Sequence, residues 1–173
     1  VMKCIKILSL ISVLMFFFGK ISAQYCSPSI TDGGYEQGIA RIQLNTIDNS
    51  SIPLLGCPGP GAGGCLLAVE DYTALSTNLG RNTTYYLILT AGNAEGMWDI
   101  KVKAWIDFNQ DDSFDIATEE IGAIKNIGPN VTDTMIFTVP IDALLGPTRL
   151  RIAADDGSGP GFINPKPCSD RLY

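Results

Sequence analysis

The chain has 173 residues, 46% of them hydrophobic and 17% charged, with 18 acidic residues against 12 basic ones and no histidine. A formal charge of −6 argues against nucleic acid and anionic lipid as partners, because both are held by basic surfaces. The lack of histidine removes Ser-His-Asp and Cys-His triads, HExxH metallopeptidases and most general acid/base schemes that work near neutral pH.

Residues 1–23 read as a secretory signal peptide. Lys3 and Lys6 precede an apolar run from Ile7 to Gly19, and Ile21-Ser22-Ala23 ends on a small residue. A membrane anchor needs roughly 20 apolar residues, and Lys20 interrupts this run too early. Cutting after Ala23 is expected to leave a secreted or cell-surface chain with no membrane span. Gln24-Tyr25 are bulky where a lipid-anchoring signal at Cys26 wants small residues. Val1 reads as an alternative start codon or an incomplete N-terminus. Without Lys3, Lys6 and Lys20, nine basic residues face 18 acidic ones, a balance that suits divalent cations. Residues 24–173 are the right length for one domain.

Cys4 leaves with the leader, so Cys26, Cys57, Cys65 and Cys168 remain. An even number in an oxidising compartment reads as two disulfides, for which three connectivities are open. Cys57–Cys65 is favoured because it closes a short Gly/Pro loop, with Cys26–Cys168 tying the two ends together. Zinc is the competing reading, and the chain has no His and no CxxC pair to support it.

Past the leader the hydrophobic period is two, which predicts strands rather than helices. In chain order these are Ala40–Leu44, Tyr85–Thr90, Ile100–Phe108, Glu120–Ile124, Thr134–Val139 and Arg149–Ile152. The clearest is Ile100–Phe108, whose even positions would face a core while Lys101, Lys103, Trp105 and Asp107 face the other way. Turn clusters separate the strands: Asp32–Gly34, Gly56–Gly64, Gly92-Asn93, Asn126–Asn130 and Asp155–Gly161. Single helical turns are expected at 74–77 and 143–145. The expected fold is all-β: an antiparallel, disulfide-bonded β-sandwich of immunoglobulin-like or jelly-roll-like type.

Paired carboxylates for glycoside hydrolysis could only be Glu70-Asp71, Glu119-Glu120 or Asp155-Asp156, and adjacent acids in strands and loops usually point apart. Tyr85-Tyr86 with Trp98 or Trp105 could form a sugar-stacking platform, against the plainer reading of cross-strand packing. Asn49, Asn82 and Asn130 each begin an N-glycosylation pattern, which is idle in a bacterium.

The most informative local feature is the stretch from Asp107 to Asp115. Asp107, Asn109, Asp111, Ser113 and Asp115 occupy positions 1, 3, 5, 7 and 9 of an EF-hand-type calcium loop, with Phe114 at the apolar position 8. Two positions depart from that pattern. Position 6, usually Gly, is Asp112, and the acid expected at position 12 arrives one step late as Glu119. These six oxygen donors are the expected ligands of a structural Ca²⁺; the plainer reading is a solvated acidic hairpin loop.

Several of these stretches together resemble the GEVED domain. They are Tyr25-Cys26, Glu70–Thr73, Val102–Phe114 with Trp105-Ile106-Asp107-Phe108-Asn109 at its centre, Phe137–Pro140, Leu145–Arg151 and Pro167-Cys168. The resemblance spans residues 25–173. It implies an accessory module of secreted and surface proteins, chiefly of Bacteroidetes, with no catalytic residues to carry over. It also implies a Gly-Glu-Val-Glu-Asp run after Cys168; the chain ends at Tyr173 before it, so a last strand and a longer parent protein are expected beyond. Three functions fit: a non-catalytic extracellular module for binding, adhesion or spacing, the N-terminal accessory part of a secreted hydrolase or protease, or a carbohydrate-binding module. The expected partner is an extracellular protein or glycan.

Overall fold

The computed structural model describes residues 25–26, 38–50, 71–92 and 99–156. The expected leader, Cys57, Cys65, Cys168, Glu70 and Trp98, and the side chains of Asp155 and Asp156, lie outside the described residues.

Seven strands follow in order: β1 (Ile39–Leu44), β2 (Ile47–Asn49), β3 (Thr84–Ala91), β4 (Ile100–Ile106), β5 (Glu120–Ile127), β6 (Thr132–Thr138) and β7 (Leu150–Asp156). They form two antiparallel sheets, ordered β2-β1-β3-β6 and β5-β4-β7, with no helix among the described residues. The expected helical turns are hydrogen-bonded turns instead, closed by Leu75 N–H to Tyr72 O at 2.8 Å and by Ala143 N–H to Pro140 O at 3.3 Å. One strand escaped the sequence reading. The hairpin Leu44-Asn45-Thr46-Ile47 turns in two residues, with Asn45 at φ 51°, a left-handed conformation that asparagine tolerates better than most residues.

The sheets share one apolar core. Leu44, Leu87, Leu89 and Met135 come from the first sheet, and Ile100, Val102, Ala104 and Ile106 from the second. Each fully buried aliphatic side chain contributes roughly 1.5–3 kcal/mol relative to exposure. Strand β5 shows why its pattern was faint in sequence: its buried residues, Ile121, Ile124 and Ile127, are spaced by three. Register shifts between Ile100 and Val102, and between Ala104 and Trp105, absorb the extra residues as bulges. Gly122 makes room for β6: a Cβ there would stand 3.0 Å from Met135 Cβ.

The second sheet is also covered on its outer face. Trp105 points away from the main core, as its place in the alternation requires, yet it is 0% exposed because Phe114, Ala153 and Tyr25 pack over it. This removes Trp105 as a sugar-stacking platform, since no face of its indole reaches solvent.

Candidate functional site

The acidic loop begins where β4 stops. Ile106 N–H still donates to Glu119 O at 3.0 Å and Asp107 N–H to Arg149 O at 3.2 Å, so the loop's base is continuous with both neighbouring strands. The Thr148 hydroxyl closes onto Asp107 O.

Asp107 is 0% exposed, and a carboxylate in such a place needs donors. Its Oδ1 accepts from Asp111 N–H at 3.3 Å, and its Oδ2 from Asp112 N–H at 3.1 Å and from the Tyr25 hydroxyl at 2.5 Å. Asn109 Oδ1 accepts from Asp111 N–H at 2.9 Å, and Asp111 Oδ1 from Ser113 N–H at 2.9 Å. Asn109 and Asp111 thus close successive Asx turns onto the N–H two residues on, while Asp107 reaches across the turn to the N–H groups four and five residues on. Asp112, which stands where such loops carry glycine, has φ 62°, and Gln110 has φ 55°. The departure from glycine is met by an aspartate in the left-handed region.

The late acid is placed differently from a calcium ligand at position 12. Glu119 is 2% exposed. Its Oε1 accepts from Phe108 N–H at 3.0 Å and Asn109 N–H at 3.2 Å, while Oε2 accepts from Asp115 N–H at 2.9 Å. It works as an internal cap for both ends of the loop. Asp115 turns to its own C-terminal side and caps Ala117 N–H at 2.6 Å. The structure thus gathers Asp107, Asn109 and Asp111 in one turn, with Ser113 joined through its backbone, and sends Asp115 and Glu119 to other N–H groups. Among the described residues no three acidic or sulfur side chains converge as a metal ion requires.

Glu119-Glu120, the one candidate pair with both side chains among the described residues, does not face a common point as a hydrolytic pair must. Glu119 is buried on backbone donors, while Glu120 pairs with Lys103 Nζ at 2.8 Å. Asp71 caps Thr73 N–H at 2.8 Å, and that bond holds its carboxyl below the usual range.

What sequence spacing could not show is the clamp over this loop. Tyr25 lies 82 residues from the aspartate it touches. Its ring sits 5.2 Å from that of Phe114, under the Arg149 guanidinium at 4.4 Å from the ring centroid. Arg151 lies 4.9 Å over Phe114 and donates to Cys26 Sγ at 3.1 Å. Such stacked cations contribute about 0.5–2 kcal/mol each, more as water is excluded. Burial, reinforced by the bond to Asp107, pushes the Tyr25 hydroxyl up to about 12. The two arginines of the Gly-x-Thr-Arg-x-Arg segment and the Tyr25-Cys26 pair are thus one packed unit with the loop. Their presence in the motifs that carried the resemblance was the available signal.

The same segment needs its glycine. Gly146 has φ 131° and lies against the Gln110 side chain, which donates to Leu144 O at 3.2 Å. A Cβ at that φ would be strained whatever the space.

No curated protein and no solved structure matches the chain. Tyr25-Cys26 and residues 70–73 lie outside the stretch that the family comparison matches, although the clamp joins Tyr25 to it. That stretch begins one residue into β4 and includes the whole acidic loop: residues 101–173 match the family model of the GEVED domain, the family that the sequence resembles.

Proposed function

We propose that this chain is a non-catalytic, disulfide-held extracellular module for binding, adhesion or spacing within a longer secreted or surface protein. The observation that carries this reading is the use made of the two buried acids in the matched stretch. Asp107 and Glu119 each accept three hydrogen bonds from within the protein. They are spent on shaping a loop and are not presented to a substrate. The match to the GEVED domain supports an accessory role, and the even number of cysteines left after the leader is what favours disulfide bonding in an oxidising compartment. A secretory leader at 1–23 completes the reading. Its test is to express the whole chain in a bacterial host and sequence the N-terminus of the extracytoplasmic product. Gln24 at the new N-terminus is expected; an intact residue 1–23 segment in the cytoplasm overturns the export reading.

A second reading, a structural calcium ion held by the loop, is favoured by one feature. Asp107, Asn109 and Asp111 all bind N–H groups of the same turn through Oδ1, and each of these Oδ1 atoms retains a second acceptor direction. Holding an ion of six to eight oxygen ligands requires the acidic side chains to draw closer than they stand. Thermal unfolding with calcium and with excess EDTA decides it. Binding to the native state alone at a hundredfold excess over Kd adds about 2.7 kcal/mol, and identical curves remove the calcium.

A further inference from the structure

The outer face of the β2-β1-β3-β6 sheet is unlike that of the other sheet. Alternate residues of β3 point away from the core, and among them Tyr86 is 56% exposed, while Ile136, directly opposite it on β6, is 63% exposed. In the next row of the same face, Asp48, Gln43 and Ile88 stand side by side across β2, β1 and β3. The β1–β2 hairpin turns back at Asn45, opposite the middle of β3, because Leu44 pairs with Leu87. The first residues of β3 therefore extend past the hairpin and leave a step. That step is the wall of an open groove of about 380 Å3, lined by Gln43, Asn45, Asp48, Thr84, Tyr86 and Ile88 among others.

Its polar groups are held in place. Arg41 grips Asp48 through Nε at 2.7 Å and Nη2 at 2.5 Å, and Gln43 Nε2 donates to the same carboxylate at 3.2 Å. Asn45 is fixed by Nδ2 to Thr77 Oγ1 and to Asn78 O, both at 2.9 Å. An exposed aromatic ring thus stands beside planar amide and carboxylate groups whose positions are set before any ligand arrives.

We infer that this groove binds a neutral polysaccharide chain, with Tyr86 as the stacking platform and Gln43, Asn45 and Asp48 as the hydroxyl-reading side chains. A pyranose ring presents an apolar C–H face and a rim of hydroxyls. An aromatic ring covers the first, and amide and carboxylate side chains exchange hydrogen bonds with the second. The groove is open along a flat sheet, which suits a chain lying across it better than a small molecule enclosed in it. Asp48, in the groove, is neutralised by Arg41, and the protein as a whole is acidic, so a polyanionic glycan is repelled. The inference rests on the reading of the chain as an extracellular binding module, and it is independent of calcium in the acidic loop.

The test is an amide chemical-shift titration of the isotope-labelled exported chain with cellohexaose, xylohexaose, laminarihexaose and chitohexaose, and with a heparin hexasaccharide for comparison. At least one neutral hexasaccharide is expected to shift the amides of Gln43, Asp48 and Tyr86 and to leave those of Asp107 and Glu119 in place. Tyr86→Ala should weaken that binding about tenfold or more, Tyr86→Phe should leave it within about twofold because the ring remains, and Gln43→Ala should weaken it without touching the aromatic face. Both positions are on the surface, and unchanged amide positions for Val102 and Ile124 verify that the variants fold. No shift with any of the four neutral sugars, shifts centred elsewhere, or heparin acting at these same residues each overturns the inference. A chain exported and processed at Gln24 that ignores all four sugars leaves the module reading standing and removes only the groove.

Discussion

Replacing Glu119 with alanine should be among the most damaging single changes in the acidic loop, although an exposed acid in a loop is ordinarily replaceable. Glu119 is 2% exposed, and its two oxygens satisfy the N–H groups of Phe108, Asn109 and Asp115. Alanine leaves three donors without an acceptor in a nearly closed site. Each buried donor left unmet costs about 1–3 kcal/mol, and relaxation and water entry make the sum sub-additive. A total of about 3–5 kcal/mol is expected, in the range for breaking a buried network. At roughly 2–4 °C per kcal/mol for a domain of this size, the midpoint should fall by about 6–20 °C. Glu119→Gln keeps the shape and one acceptor oxygen but turns an NH₂ group toward N–H donors, so about half that loss is expected. The neighbouring Glu120, paired with Lys103 near the surface, provides the comparison, and Glu120→Ala should cost about 0–1 kcal/mol. The assay is thermal and urea unfolding followed by circular dichroism, first in EDTA. There the Glu119 loss should already be full, because it comes from backbone donors and needs no ion. If Glu119→Ala costs no more than Glu120→Ala in EDTA, the capping role assigned to Glu119 is wrong.

Three further outcomes follow from other parts of the structure. Tyr25 should ionise near pH 12 in the folded chain, against 10.0 for an ordinary tyrosine. Its contribution to stability is therefore full below pH 10 and lost as pH rises toward 12, because the unfolded chain gives up that proton first. Ultraviolet titration of tyrosinate should show one late component that Tyr25→Phe removes, and its persistence in the variant would falsify the contact with Asp107. Gly122→Ala places a Cβ at 3.0–3.2 Å from three atoms of Met135, so about 1–3 kcal/mol should be lost to overpacking. In a double-mutant cycle, Gly122→Ala should cost less in a Met135→Ala background than in the parent chain, because the contacts to Met135 Cγ and Sδ are gone, measured by the same unfolding curves. Finally, residues 101–173 made alone should not fold, because Leu44, Leu87 and Leu89 of the core and Tyr25 of the clamp lie outside them. Narrow amide dispersion is the expected spectrum, and native-like dispersion would show that the matched stretch is an autonomous unit.

The strand pattern was legible because the core lies between two sheets and imposes a period of two on residues such as Ile100, Val102, Ala104 and Ile106. Where bulges broke that period, as in β5, or where a strand was only three residues long, as in β2, the sequence signal faded. The acidic loop was legible too, since Asx turns depend on neighbours one or two residues away. The sequence alone therefore determined the fold class, the loop and the family resemblance. Tertiary structure decided what those residues face. Trp105 and Asp107 look like outward positions on a strand, and they are buried because Tyr25 and Phe114 close over the outer face of the second sheet. Glu119 reads as a misplaced calcium ligand, and in space it is a cap for backbone 10 and 11 residues before it. Burial and long-range hydrogen bonding depend on which distant segments meet, and no local pattern of residue types encodes that meeting.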